Sequence, residues 1–161
     1  MEIHILASSS SGRRRRIMLE MNGVCTSYGG VPMLRDVSLT VGAGEMVCLL
    51  GPNGAGKSTT FNAICGLLRT DKGTIRVAGA DVKDHGAEGL ARLGVGFVPE
   101  GRRLFPTLTV KENLSLAFDA ARNPAISFGA QLEKMCDLFP RIRERLGQKT
   151  GTMSGGEQAM V

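Results

Sequence analysis

Apolar positions along the first hundred residues alternate between short continuous runs and helical spacing, which predicts strands interleaved with helices. Met18–Tyr28 and Val37–Val41 read as two early strands, with Gly29-Gly30 as the break between them. Met46-Val47-Cys48-Leu49-Leu50 is short and continuously apolar, the pattern of a strand buried on both faces. Glycine-rich residues 51–56 follow at once. Phe61, Ile64, Cys65 and Leu68 then fall at i, i+3, i+4 and i+7, one face of a helix packing on a sheet. Thr74–Val77 reads as a strand between the Asp71-Lys72-Gly73 and Gly79-Ala80-Asp81 turns. A short helix over Ala87–Leu93 and a buried strand over Gly96–Val98 continue the alternation.

Beyond a polar loop at Pro99–Pro106 the period becomes helical throughout. Thr109 and Glu112 form a T-x-x-E capping box, and Val110, Leu114, Ala117 and Phe118 share one face of the helix it opens. Leu132, Met135, Cys136 and Phe139 repeat that spacing in a second helix, which Pro140 ends. The chain thus reads as a parallel α/β core with a helical subdomain over about 107–161.

Composition narrows the class. Hydrophobic residues make up 42% and charged residues 22% of the chain, which excludes a disordered or collagen-like protein. No apolar run reaches the ~18 residues that cross a bilayer. Aromatics are only 4% and Trp is absent, against an aromatic nucleic-acid platform, and no nucleic-acid partner is expected. The net charge of +5 is concentrated: Arg13, Arg14, Arg15 and Arg16 against Glu2 leave the rest of the chain near neutral. Residues 1–17 are therefore expected to be a disordered, solvated basic arm, with contact to phosphates or anionic lipid as the alternative. The arm is no signal peptide, because its apolar stretch is too short and precedes the basic run. Met18 is an alternative start. Cys25, Cys48, Cys65 and Cys136 lack CxxC spacing and read as reduced, buried thiols.

Gly51-Pro52-Asn53-Gly54-Ala55-Gly56-Lys57-Ser58 matches G-x-x-x-x-G-K-[ST], with the strand before it and the helix after it that the chemistry requires. Glycines let successive N–H groups curl inward around a phosphate, and the helix dipole adds positive charge there. Lys57 would reach the β- and γ-phosphates of a nucleoside triphosphate, and the Ser58 hydroxyl would ligand Mg²⁺.

Residues 51–60, Gly-Pro-Asn-Gly-Ala-Gly-Lys-Ser-Thr-Thr, resemble the Walker A loop of ABC-transporter ATPases. That resemblance implies ATP held by Asn53, Gly54, Ala55, Gly56, Lys57, Ser58 and Thr59, with adenine stacked on Tyr28, the chain's single tyrosine. Met153-Ser154-Gly155-Gly156-Glu157-Gln158 resembles the family's signature, and Ser154 and Glu157 form an S-x-x-E capping box around two glycines. In the family this turn contacts the γ-phosphate of ATP held by a second ATPase subunit, so Ser154, Gly155, Gly156 and Glu157 are assigned to a partner's nucleotide. Glu100 stands where most members carry the Q-loop Gln and becomes a second candidate Mg²⁺ ligand beside Ser58. Val98-Pro99-Glu100-Gly101-Arg102-Arg103, followed by Phe105-Pro106, resembles the branched-chain amino-acid importer branch.

The fold implied is a P-loop NTPase α/β core with early antiparallel strands, an inserted helical subdomain, and the C-terminal part of the sheet missing. The resemblance runs from about Leu19 to Val161. It includes no counterpart of the family's Walker B Asp, catalytic Glu or switch His, since His4 and His85 both precede the signature. The expectation is an N-terminal fragment that binds MgATP without turning it over and is poorly soluble alone. Its implied role is the ATP-binding subunit of an importer for branched-chain amino acids or a related small solute. Its implied partners are a second ATPase subunit, transmembrane permease subunits and, indirectly, a periplasmic binding protein, with a peripheral place on the inner face of the cell membrane. A non-catalytic nucleotide-binding interaction module and an ABC ATPase for another substrate remain the alternatives.

Overall fold

A long antiparallel hairpin organises the first of two units, Met1–Leu93. The structure is a computed structural model that describes residues 4–7, 16–101, 103–121 and 125–161. In chain order the first unit contains β1 (His4–Ala7), β2 (Ile17–Tyr28), β3 (Val31–Gly42), β4 (Val47–Leu50), α1 (Lys57–Ile64), β5 (Lys72–Val77), β6 (Ala80–Asp81) and α2 (Val82–Arg92). β2 and β3 turn at Gly29-Gly30 and pair along most of their length, from Ile17 opposite Gly42 to Tyr28 opposite Val31. β5 adds to the other edge of β2 and β6 to β5, giving the order β3-β2-β5-β6 with antiparallel neighbours throughout. Met21, Val24, Thr26, Leu34 and Ile75 are almost completely buried in this sheet. α2 packs on β5 and β6, with Val82 and Leu90 buried.

Two close contacts fix this sheet. Gly73, the second residue of β5, sits at φ 81°, where a Cβ would lie 2.4 Å from both Asn22 O and Gly23 O. Asp81 caps α2 by accepting a hydrogen bond from the Lys83 N–H at 2.9 Å. The helix breaks at Gly86 (φ 61°, ψ −175°), so the helix predicted from Ala87 is the second half of a longer, kinked one.

The second unit, Gly94–Val161, is helical after an irregular start. It contains α3 (Val110–Ala121), α4 (Phe128–Leu138), α5 (Pro140–Glu144), a 3₁₀ turn (Thr150–Thr152) and α6 (Gly155–Gln158). Val110, Cys136, Ile142 and Met153 form its core, with Leu114, Leu132 and Leu146 packed around them. The T-x-x-E box is present: Glu112 Oε2 accepts from the Thr109 N–H and hydroxyl at 2.7 Å each, and Thr109 Oγ1 accepts from the Glu112 N–H at 3.2 Å. Pro140 both stops α4 and supplies the first residue of α5, where its missing N–H costs nothing.

Several expectations need correction. The disorder expected over 1–17 does not extend to His4–Ala7, which is a strand paired antiparallel with β4, nor to Ile17, where β2 begins. Arg16 O likewise accepts the Ala43 N–H at 2.9 Å. Arg13, Arg14 and Arg15 lie outside the described residues. β4 is not buried on both faces: Cys48 and Leu50 are exposed, because β1 is its only partner among the described strands. The described pairings are antiparallel, not parallel. α1 ends at Ile64 and buries Thr59, Thr60 and Ala63, leaving Phe61 exposed, so its buried face is not the one that spacing assigned. Gly96–Val98 forms no strand, and without a partner Val98 stands 93% exposed. The four cysteines are free, but only Cys65 and Cys136 are buried, and burial pushes the Cys65 thiol up from its ordinary pKa.

Candidate functional site

The first candidate site is the loop joining β4 to α1. Its backbone turns at Pro52, whose carbonyl accepts the Ala55 N–H at 3.2 Å. Gly56 then caps α1 in the left-handed region (φ 97°), a conformation an L side chain would resist. No side chain caps this helix end. Its first-turn N–H groups therefore remain available to an anion, with the helix dipole aligned behind them. Lys57 leaves α1 and folds back over the loop, where its ammonium donates to Gly51 O at 2.7 Å and Pro52 O at 2.8 Å. Thr60 closes the other side, its N–H and hydroxyl both donating to Gly56 O at 2.8 and 2.9 Å. Asn53, Gly54 and Ser58 are exposed, while Ala55 and Thr59 are buried and hold the loop to the body of the unit.

This cradle can satisfy a phosphate by backbone N–H groups and one cation. Mg²⁺ ordinarily keeps one or two protein oxygens beside phosphate oxygens and water, and the exposed Ser58 hydroxyl is one such oxygen. No group of three or more His, Cys, Asp or Glu able to hold a metal exists among the described residues. The donor set therefore fits a phosphate-borne Mg²⁺ and not a protein-caged one. Glu100, the other candidate ligand, sits exposed on the irregular stretch that opens the second unit, whereas Ser58 belongs to the first. Arg102 lies outside the described residues. Tyr28 ends β2 at the Gly29-Gly30 turn with 55% of its surface exposed, so its ring is free to stack.

The second candidate site is the turn into α6. Ser154 is its N-cap, and the capping box is complete: Glu157 Oε2 accepts from the Ser154 N–H at 2.9 Å and hydroxyl at 2.8 Å. These bonds, and then the nearby Arg145 guanidinium, hold the Glu157 carboxyl below the ordinary glutamate range. The cap engages Ser154 and Glu157, so Gly155 and Gly156 present first-turn N–H groups unscreened by any Cβ. Arg145 is a member of this site that no motif announced. It comes from the end of α5, and its only sequence cue is a basic residue where a helix stops.

The family model described as ABC transporter matches residues 34–161. The high-affinity branched-chain amino acid transport ATP-binding protein BraG of Pseudomonas aeruginosa is 43% identical over 145 residues, 89% of this chain and 61% of that protein. The lipopolysaccharide export system ATP-binding protein LptB of Haemophilus influenzae is 37% identical over 149 residues, 89% of this chain and 60% of that one. Among solved structures, an ATP-binding subunit of an ABC transporter superposes with a TM-score of 0.75 at 28% identity, over 89% of this chain and 58% of that one. The chain spans about three-fifths of the length of these relatives.

Proposed function

The chain belongs to the ABC transporter family, and on that premise we propose that residues 51–59 hold the phosphates of ATP while Tyr28 stacks on its adenine. The observation that carries this reading is the left-handed Gly56 opening an uncapped α1, with Lys57 already drawn over the loop. An incoming phosphate would take Lys57 from the Gly51 and Pro52 carbonyls, exchanging two neutral acceptors for an anion, the stronger hydrogen bond. Ser58 would add an oxygen to phosphate-bound Mg²⁺. Ser154, Gly155, Gly156 and Glu157 would meet the nucleotide of a second ATPase subunit.

Within the family, the reading is the ATP-binding subunit of an importer for branched-chain amino acids or a related small solute. It would act from the inner membrane face through permease subunits fed by a periplasmic binding protein. BraG's greater identity supports that substrate over the lipopolysaccharide handled by LptB's system. No described helix is long and apolar enough to cross a membrane, consistent with attachment through permease partners.

Equilibrium binding of a fluorescent ATP analogue, with and without Mg²⁺, tests the site. Lys57→Ala should weaken binding by about a hundredfold, the loss of a hydrogen bond to a charged group. Tyr28→Ala should weaken it about tenfold if stacking holds the base. Affinity unchanged by Lys57→Ala would overturn the assignment.

A further inference from the structure

Within the second unit, the loop around Phe105 and the turn around Ser154 are far apart in the chain yet share one buried polar pair. Asn113, on the first turns of α3, is 7% exposed, and Thr150, in the 3₁₀ turn, is fully buried. Asn113 Oδ1 accepts the Phe105 N–H at 2.8 Å. Its Nδ2 donates to Thr109 O at 2.9 Å and Phe105 O at 3.2 Å, and lies 3.4 Å from Thr150 Oγ1. The Thr150 hydroxyl donates to the same Phe105 carbonyl at 2.9 Å. Both polar groups of the Phe105 backbone are thus held by this pair, while the Phe105 ring is exposed.

Thr150 is also bonded along its main chain. Its N–H donates to Leu108 O at 3.0 Å, and its carbonyl accepts from Gln158 Nε2 at 2.8 Å, at the end of α6. The next residue tightens the joint: the Gly151 N–H donates to Pro106 O at 3.0 Å, and a Cβ on Gly151 would lie 2.9 Å from that oxygen. A buried Asn–Thr pair costs desolvation that an apolar pair of similar volume would not. In return, its bonds are directional and fix one arrangement, where apolar contacts would let the segments slide.

We propose that Asn113 and Thr150 form a positioning clasp that makes the Phe105–Thr109 loop and the Ser154–Gln158 turn move as one body. A displacement of the exposed Phe105 ring is carried through the Phe105 backbone to Thr150, and from the Thr150 carbonyl through Gln158 to α6. The consequence for nucleotide contact by Ser154 rests on the proposed function. The mechanical coupling does not.

Amide hydrogen exchange on the whole chain tests the coupling, read at the Phe105 N–H and at the Gln158 and Ala159 N–H groups. Thr150→Val removes the hydroxyl at nearly constant shape and should speed exchange about tenfold at both ends. Thr150→Ser keeps the hydroxyl and should restore protection at both. Gln158→Ala, at the half-exposed end, should speed exchange at Phe105, and it serves if Thr150→Val does not fold. Faster exchange confined to residues 150–152, equal behaviour of the Ser and Val variants, or an unmoved Phe105 amide in Gln158→Ala would each overturn the clasp. ATP binding to the same samples separates the two readings: its absence in the unaltered chain would sink the nucleotide assignment and leave the exchange result standing.

Discussion

Arg145 places its Nε 2.8 Å from Glu157 Oε1, while the other oxygen of that carboxylate closes the cap on Ser154. One carboxylate thus serves a local helix start and a contact with a different element. The local half is a two-oxygen capping box, which any S-x-x-E sequence can make. The Arg145 half orients the carboxylate and ties the turn to the end of α5. Arg145 Nη1 donates to Gln148 Oε1 at 2.7 Å, so the guanidinium has an ion pair on one side and a hydrogen bond on the other. A double-mutant cycle on Arg145→Ala and Glu157→Gln should show favourable coupling that shrinks with added salt, read from urea midpoints. Strict additivity would mean that the ion pair contributes nothing.

The same carboxylate sets a pH dependence. Hydrogen bonds from Ser154 first, and Arg145 after them, lower the Glu157 pKa in the folded chain. A depressed carboxyl stabilises the fold above the ordinary glutamate pKa of about 4.3, and that stabilisation is lost as the pH falls through the depressed value. Glu112 behaves alike, because its bonds to Thr109 lower it in the same way. The α6 amides should lose exchange protection below about pH 4. In Glu157→Gln, where the capping oxygen stays and the titration goes, that loss should vanish at α6 and persist at α3.

The cap on α3 can be tested by size alone. Thr109→Ser keeps the oxygen that accepts the Glu112 N–H, and Thr109→Ala removes it. The alanine variant should lose about 1 kcal/mol, and the serine variant a few tenths. In a chain of this length that difference lowers Tm by about 2–4 °C, measurable by calorimetry. Equal melting of the two would show that the cap oxygen is not what holds the start of α3.

Gly73 and Gly79 separate conformational strain from steric overlap. Both lie at similar positive φ, 81° and 87°, but a Cβ on Gly73 would strike two backbone carbonyls at 2.4 Å, whereas one on Gly79 meets nothing within 4 Å. Gly79→Ala should cost about 1–2 kcal/mol, the penalty of a left-handed alanine. Gly73→Ala adds overlap with the backbone of β2, which cannot give without breaking the β2–β5 pairing, and should cost about 3 kcal/mol or more. Denaturant unfolding of the two variants should therefore give clearly unequal midpoints, and equal ones would mean that β5 is free to shift.

What was legible in the sequence was local. The two capping boxes, the glycine loop with Lys57, the Gly29-Gly30 turn and the Pro140 break are each written in a few adjacent residues, and the structure has each one. Partners distant in the chain were not legible. Gly96–Val98 has the composition of a strand but meets no partner among the described residues, and composition cannot supply one. Helical spacing assigns Phe61, Ile64, Cys65 and Leu68 to the packed face of α1, but the helix ends at Ile64 and buries Thr59, Thr60 and Ala63 instead, leaving Phe61 exposed. Arg145, Asn113 and Thr150 gave no signal because their importance comes from contacts made across the second unit. Tyr28 is singled out only by the family resemblance, and the turn after it leaves its ring exposed.

The pairing of β1 with β4 has no counterpart in the sequence pattern. β1 and β4 form a two-stranded antiparallel ribbon, with His4 opposite Leu50, Leu6 opposite Cys48 and Ala7 opposite Val47. A ribbon of four residues is marginal by itself, so it should contribute little to global stability and much to local protection. β4 leads directly into the glycine-rich loop over 51–56, with Met46 76% and Leu50 47% exposed. An unpaired apolar strand of this kind is a template for association with another chain. Leu6→Pro removes a backbone N–H and disfavours strand pairing without altering net charge, so any change in solubility cannot be assigned to the basic residues nearby. The variant should lose exchange protection at Val47–Leu50, keep that of β2 and β5, and self-associate at concentrations where the unaltered chain does not, as read by light scattering. Unchanged protection at Val47–Leu50 would mean that β1 does not cover that edge in solution.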